Sequence, residues 1–301
     1  VTGFDVDGYL RRLGLSHPGP PAVDALRRLH RAHVERIAYE TVDIHLGRLG
    51  ALDPTESADR LVRLGRGGYC LTLNSAFEAL LSALGFQVER HLGSVVLNDR
   101  SAALGIDGHH MALTVRGLPT TDNPDGTWLV DVGLGDGPHA PLPLVAGVHR
   151  QGGFVYRLRT SPVAPEGWRL DHDRRGHFIA MDFLSRPAAT AEFTAAHREM
   201  STSEDSLFVR VFTAHRRTAA DIDRLRGCVL TRVGSSITEL RSAGEWLDAL
   251  VGRLGIVLDD VSPRRRRELW ERAYAVHLRW LAKRRDGRAE SRGTSPSSLR
   301  P

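Results

Sequence analysis

The 301-residue chain holds two cysteines, Cys70 and Cys228, and one lysine, Lys283, against forty arginines. Two cysteines cannot build the disulfide framework of a secreted scaffold, so reduced thiols and a cytoplasmic enzyme are expected. No segment approaches the ~20 apolar residues of a membrane helix. Val1-Thr2-Gly3-Phe4-Asp5 lacks a basic region followed by an apolar core, so neither membrane nor signal peptide is expected. C-x-x-C and H-E-x-x-H are missing and the possible ligands lack paired spacing, which argues against a metal centre. Gly133-Leu134-Gly135-Asp136-Gly137 lacks the lysine and following helix of a phosphate loop, and it lacks the dinucleotide fingerprint. A turn that lets a ligand approach the backbone closely is more economical. The net charge of +5 gathers in residues 264–267 and 283–292. No aromatic-interleaved basic motif accompanies it, so nucleic acid is not the expected partner. The scarcity of lysine is what a GC-rich genome produces and reports ancestry.

What is present is sharper. Arg66-Gly67-Gly68-Tyr69-Cys70 places a cysteine straight after a glycine-rich turn, and residues 71–84 form an apolar-periodic run that reads as a helix. A cysteine at a helix N-terminus faces unpaired backbone N–H groups and the positive end of the macrodipole, which favour thiolate. His110 follows at the start of an apolar strand, and Asp131 lies inside Trp128-Leu129-Val130-Asp131-Val132-Gly133. A thiolate needs a base, and the base needs a carboxylate to fix its tautomer. Cys70, His110 and Asp131 are thus a candidate nucleophilic triad. Cys228, in an apolar segment, reads as a buried core thiol; Asp125 and Asp136 read as turn residues.

The fold class is α+β. Val23, Leu26, Leu29, His33 and Ile37 recur at helical spacing after Pro20-Pro21. Residues 88–97, 111–115, 127–132, 154–158, 168–170 and 178–183 read as short strands of an antiparallel sheet or small barrel. Strand-like 207–212 and 228–233 then mix with helices expected over 218–225 and 244–254. A long helix starts at Ser262-Pro263, a capping serine with proline in the first turn. From about residue 286 the Arg/Ser/Gly/Pro-rich chain is expected to be disordered.

The motifs R-G-G-Y-C, His110-Met111 and Asp131-Val132-Gly133-Leu134-Gly135 resemble those of the arylamine N-acetyltransferases, over roughly residues 3–284. The resemblance implies a helical bundle (1–86) carrying the nucleophile, an antiparallel β-barrel (87–205) carrying His110 and Asp131, and an α/β lid (206–285) before a tail (286–301). It implies a cysteine-protease-like core and ping-pong acyl transfer. The acyl group would pass from an acyl-CoA or acyl carrier protein thioester to an aromatic amine, with no tightly bound cofactor. His110 is selected over His109 because the family places its histidine immediately before the apolar strand. Glu40, Arg66 and Asn74 match a structural cluster in which a bidentate arginine–glutamate pair would pin the cysteine loop. Tyr39, Leu71, Gly133, Leu134 and Gly135 would line the substrate pocket.

Three departures mark this chain. Leu71-Thr72 replaces an aromatic and a glutamate, Ala38-Tyr39-Glu40-Thr41 replaces a proline–phenylalanine–glutamate–asparagine stretch, and Leu134 replaces an aromatic. Leu71 and Leu134 would make room for acyl groups longer than acetyl. With the GC-rich signature they suit the actinomycete amide synthases that join polyketide chains to aryl amines. A papain- or transglutaminase-like thiol hydrolase shares the Cys-His-Asp order.

Overall fold

A computed structural model of the chain describes residues 3–48, 50–97 and 105–293, with the backbone alone over 284–293. The N-terminal part is helical: α1 (Val6–Arg12), α2 (Val23–Arg36), α3 (Val42–His45), α4 (Pro54–Leu64) and α5 (Cys70–Ala83), with one short strand, β1 (Tyr39–Glu40), between α2 and α3. Local chemistry sets the ends. Asp53 accepts from the Glu56 N–H at 2.9 Å to cap α4, proline follows at the first position, and Gly65 closes the helix in the left-handed region.

An eight-stranded antiparallel sheet follows: β2 (Gln87–Val96), β3 (His110–Arg116), β4 (Trp128–Leu129), β5 (Leu142–Pro143), β6 (Gly147–Gln151), β7 (Phe154–Thr160), β8 (Gly167–Asp171) and β9 (Ala180–Leu184). Its order is β5-β4-β3-β2-β9-β8-β7-β6. The two edge strands, β5 and β6, are consecutive and joined by residues 144–146 alone. A linker of that length cannot span a flat eight-stranded sheet, so the sheet curls into a nearly closed barrel.

Two further helices, α6 (Thr194–Thr202) and α7 (Leu207–Arg210), lead into β10 (Thr213–Arg217), β11 (Ile222–Arg226), β12 (Val229–Arg232) and β13 (Ser236–Glu239), then α8 (Ala243–Gly252) and α9 (Pro263–Gly293). Strand β1 pairs antiparallel with β10, so the N-terminal segment is the edge of a five-stranded C-terminal sheet, β1-β10-β11-β12-β13. The expected helix over 218–225 is instead a hairpin. Thr218 and Asp221 close its turn by exchanging hydrogen bonds, and β11 pairs with both neighbours. The expected strand over 207–212 begins as a helical turn because Ser206 Oγ accepts from the Phe208 N–H. Helix α9 runs on to Gly293, past the point where disorder was expected; three of residues 284–290 are arginine, a good helix former. Residues 294–301 lie outside the described residues. Among the described residues no helix is long and apolar enough to cross a membrane.

Alternation along β3 positions the site. Met111, Leu113 and Val115 join the core of the helical part, with Leu73, Phe77 and Leu80 of α5, while Ala112 joins the barrel core. The barrel therefore presents one face of β3 to the helix that begins with Cys70. A third core, around Phe212, Trp246, Leu250 and Trp270, holds α8 and α9 on the C-terminal sheet.

Candidate active site

Cys70 is the first residue of α5 and only 4% exposed. The glycines before it carry the chain against β1. Glu40 N–H donates to Gly68 O at 2.7 Å, and a Cβ on Gly67 would overlap the Ala38 carbonyl oxygen. Only a chain without side chains threads that gap. Thr72 Oγ1 accepts from the Tyr69 N–H at 3.1 Å, capping the helix start as a glutamate at that position would.

His110 and Asp131 meet through strand register. Thr114 pairs with Leu129, and Val130 N–H donates to Leu113 O at 2.9 Å. Continued two residues, that register sets Asp131 across from Ala112, on the face of His110 and one diagonal step away. His110 Nε2 and Asp131 Oδ2 lie 2.6 Å apart, both side chains 1% exposed. Burial by itself disfavours the imidazolium. The Asp131 charge and hydrogen bond, with a smaller contribution from Cys70, more than offset it and raise the His110 pKa to about 10. Nδ1, the ring's other nitrogen, is buried and has no hydrogen-bond partner. Cys70 Sγ sits 3.5 Å from the His109 carbonyl oxygen. The three residues of the candidate triad are thus brought together.

Asn74 belongs to this group more closely than the sequence indicated. Its Nδ2 donates to Asp131 Oδ1 at 2.8 Å and to Met111 O at 2.6 Å, and its Oδ1 accepts from the Val132 N–H at 3.0 Å. One amide side chain, a helical turn below Cys70, ties α5 to both barrel segments that carry the triad. Gly133 is small for the same reason: a Cβ there would lie 2.7 Å from Asn74 Nδ2 and 2.8 Å from Cys70 O. Gly133 N–H also donates to Asp131 Oδ1 at 2.9 Å.

Arg66 does not form the expected bidentate pair with Glu40. Its Nη2 reaches Asp43 at 3.0 Å and Asp260 at 3.1 Å. Asp43 lies on α3 and Asp260 just before α9, so the arginine pins the cysteine loop to the C-terminal part. Glu40, 2% exposed, turns its carboxylate to the Val42 N–H, and burial raises its pKa despite the nearby Arg66. Leu71 is fully buried in the helical core and does not line the cleft, because one residue along a helix turns the side chain by about 100° from Cys70. Asp136, read from sequence as a turn residue, is fully buried and hydrogen-bonded to His177 at 2.6 Å. Cys228 is a fully buried thiol whose pKa burial pushes up to about 12.

A cleft of about 530 Å³ opens above Cys70. Of the residues assigned to a substrate pocket, Tyr39, Gly133 and Leu134 line it, whereas Gly135 stands behind His215. The rest of its wall was not legible in the sequence: Phe178 and His177 from the barrel, Met200 and Phe208 from α6 and α7, and His215 with Arg224 from the C-terminal sheet. His109 lies at the cleft too, held by Asp107 at 2.7 Å and Glu199 at 3.2 Å, with its pKa raised chiefly by Asp107. A thiol and an imidazole at the floor of a largely apolar cleft, with a carboxylate hydrogen-bonded behind the ring, form an arrangement that can perform covalent acyl transfer.

A family model described as N-acetyltransferase matches residues 22–262. An arylamine N-acetyltransferase from Mycolicibacterium smegmatis is 31% identical over 277 residues, 87% of this chain and 95% of the relative. The arylamine N-acetyltransferase / N-hydroxyarylamine O-acetyltransferase of Salmonella typhimurium is 39% identical over 152 residues. That alignment spans about half of each protein, 50% of this chain and 51% of the relative. The solved structure of the Mycobacterium marinum arylamine N-acetyltransferase in complex with CoA superposes with a TM-score of 0.79 at 31% identity, over 90% of this chain and 99% of that one.

Proposed function

The chain belongs to the arylamine N-acetyltransferase family, and from that premise we propose that it carries an acyl group from a CoA thioester through Cys70 to an aromatic amine. Cys70 thiolate, paired with the His110 imidazolium, attacks the thioester carbonyl. The new sulfur–carbon bond forms as the bond to CoA sulfur breaks, and His110 gives its proton to the departing thiolate. The amine then attacks the acyl-cysteine, the Cys70–carbon bond breaks, and the amine proton passes to His110. Asp131 keeps the ring oriented and stabilises its charge, and the Cys70 backbone N–H at the start of α5 is the candidate oxyanion donor.

The observation that carries this reading is His110, held by Asp131 at 2.6 Å with its pKa raised to about 10 beside a buried cysteine. Intact-mass measurement after incubation with acetyl-CoA tests it. One acyl adduct is expected on the wild type and on Cys228→Ala, and none on Cys70→Ala. An adduct on Cys70→Ala, or release of free acid without need of amine, would overturn it, the latter in favour of a thiol hydrolase.

An amide-synthase reading, with a longer acyl group on CoA or a carrier protein, is favoured by one feature. The cleft of about 530 Å³, walled by Leu134, Phe178, Met200 and Phe208, exceeds what an acetyl group fills. Comparing acetyl and hexanoyl thioesters in single-turnover acylation separates the two.

A further inference from the structure

Three side chains from separate elements converge on one wall of the cleft: Asp136 from the loop after Gly135, His177 from the turn before β9, and His215 from the middle of β10. One donor atom of each lies within 4.8 Å of the other two. His177 Nδ1–H donates to Asp136 Oδ1 at 2.6 Å, and its backbone N–H to Oδ2 at 2.9 Å. His172 Nε2 stands 3.5 Å from Oδ1 on the other side. His215 takes no part in this network. Its ring stands nearly perpendicular to that of His177, centroids 4.7 Å apart, and its buried Nδ1 has no hydrogen-bond partner.

His215 is 3% exposed. A buried polar atom without a partner is destabilising. Imidazole nitrogens beside a buried carboxylate are also the donor set that borderline divalent ions select.

We propose that Asp136, His177 and His215 form a binding site for a first-row divalent cation of the zinc type, on the wall of the cleft that holds Cys70. The geometry requires a modest rearrangement. The three donor atoms already lie within 4.8 Å of one another, and a cation would enter by taking the place of the His177–Asp136 hydrogen bond. His177 can supply most of the movement, since its side chain is 28% exposed and sits on a turn. Three protein ligands leave one position open, and His177 and His215 both line the cleft.

Arg224 is the native competitor. Its Nη2 lies 3.6 Å from Asp136 Oδ2, where it supplies the positive charge that a metal ion would replace. Its side chain, 21% exposed, has room to swing outward. Metal and guanidinium therefore contend for one carboxylate. With 41 positions from Asp136 to His177 and a third ligand on another sheet, no spacing motif collects these residues, which is why the sequence argued against a metal centre.

The test is titration of untagged Cys70→Ser protein, which removes the thiol as a rival ligand, with Co²⁺ followed in the visible range and then displaced by Zn²⁺. Its readout is binding, so it stands or falls independently of the acyl-transfer reading. One equivalent with the absorption of low-coordinate Co²⁺ is expected. His177→Ala and His215→Ala should each weaken binding at least tenfold, and Arg224→Gln should tighten it severalfold. Should His215→Ala fail to fold, the partly exposed His177 and Arg224 still decide the matter. No binding to Cys70→Ser, or binding unchanged by His177→Ala, would overturn the site; unchanged affinity in Arg224→Gln would overturn the competition.

Discussion

Replacing Asp131 with asparagine changes one atom and should disable the pair it supports. Oδ1 accepts from Asn74 Nδ2 at 2.8 Å and Gly133 N–H at 2.9 Å, while Oδ2 faces His110 Nε2 at 2.6 Å. An asparagine keeps a single acceptor oxygen, and the two donors at the Oδ1 position claim it. Its NH₂ then faces His110 Nε2, which must become an acceptor, so the ring proton moves to Nδ1 on the Cys70 side. A neutral ring in that tautomer cannot take the thiol proton. The reverse orientation would set the NH₂ against two N–H donors.

The magnitude follows from His110. Burial lowers its pKa, and Asp131 with Cys70 raises it to about 10 from 6.5. Without the carboxylate, burial prevails and the ring falls below its ordinary value. A change of more than three units at about 1.4 kcal/mol each is on the order of 5 kcal/mol, similar to the ~10⁴-fold loss for the same change in a serine protease triad. Alkylation of Cys70 by iodoacetamide reads the effect directly. At pH 7 Asp131→Asn should be alkylated far more slowly than the wild type, and the difference should narrow towards pH 10, where the wild-type His110 also loses its proton. The stability signature has a definite sign. A folded-state pKa above the unfolded one stabilises fully below pH 6.5 and is lost as pH rises through about 10. The Tm gap between wild type and Asp131→Asn should therefore be widest at pH 6.5 and below, and close towards pH 10. An alkylation rate in Asp131→Asn equal to that of the wild type at pH 7, or a Tm gap that widens with pH, would refute the reasoning.

Other substitutions probe the same architecture. His110→Ala should lose about 10²–10⁴-fold in acylation, and His109→Ala only severalfold, since His109 serves Asp107 and Glu199 at the cleft edge; equal losses would mean the base is misassigned. Asn74→Ala strands the Met111 carbonyl and Val132 N–H, at about 1–3 kcal/mol for each unsatisfied group. Thermal melts should show the loss, and the acylation rate should fall with little change in KM for the donor. Gly133→Ala forces a Cβ to 2.9 Å or less from Cys70 Cα and Asn74 Nδ2, a clash worth about 1–3 kcal/mol; an unchanged melt and rate would show that α5 and the barrel are not in close contact there. Leu134→Phe should slow acylation by hexanoyl thioester more than by acetyl thioester, because each buried CH₂ is worth about 0.8 kcal/mol.

The parts of this site legible in the sequence are those whose geometry is local. R-G-G-Y-C announces its turn and helix because the glycines, the cap and the cysteine lie within a few residues. His110 and Asp131 could be paired because each carries its own strand pattern, and antiparallel register does the rest. Leu71 defeats the same kind of reasoning. Adjacency in sequence suggested a shared pocket, but a helix sends successive side chains to different faces, so Leu71 packs inward and only Leu134 reaches the cleft.

The Arg66 partner was misread for a different reason. Its aspartates lie 23 and 194 positions away, and the second comes from the segment before α9, whose approach depends on the C-terminal sheet pairing with β1. No local pattern encodes that approach. Asp136 combines both difficulties: a glycine-flanked aspartate has the composition of a turn, and its burial is set by His177 and Arg224 arriving from the far side of the barrel and from the C-terminal sheet. The candidate triad is thus written in short motifs, while the walls of the cleft above it are written in long-range contacts. Substitutions at Leu134, His177, His215 and Arg224 should accordingly change what the enzyme accepts before they change whether Cys70 can be acylated.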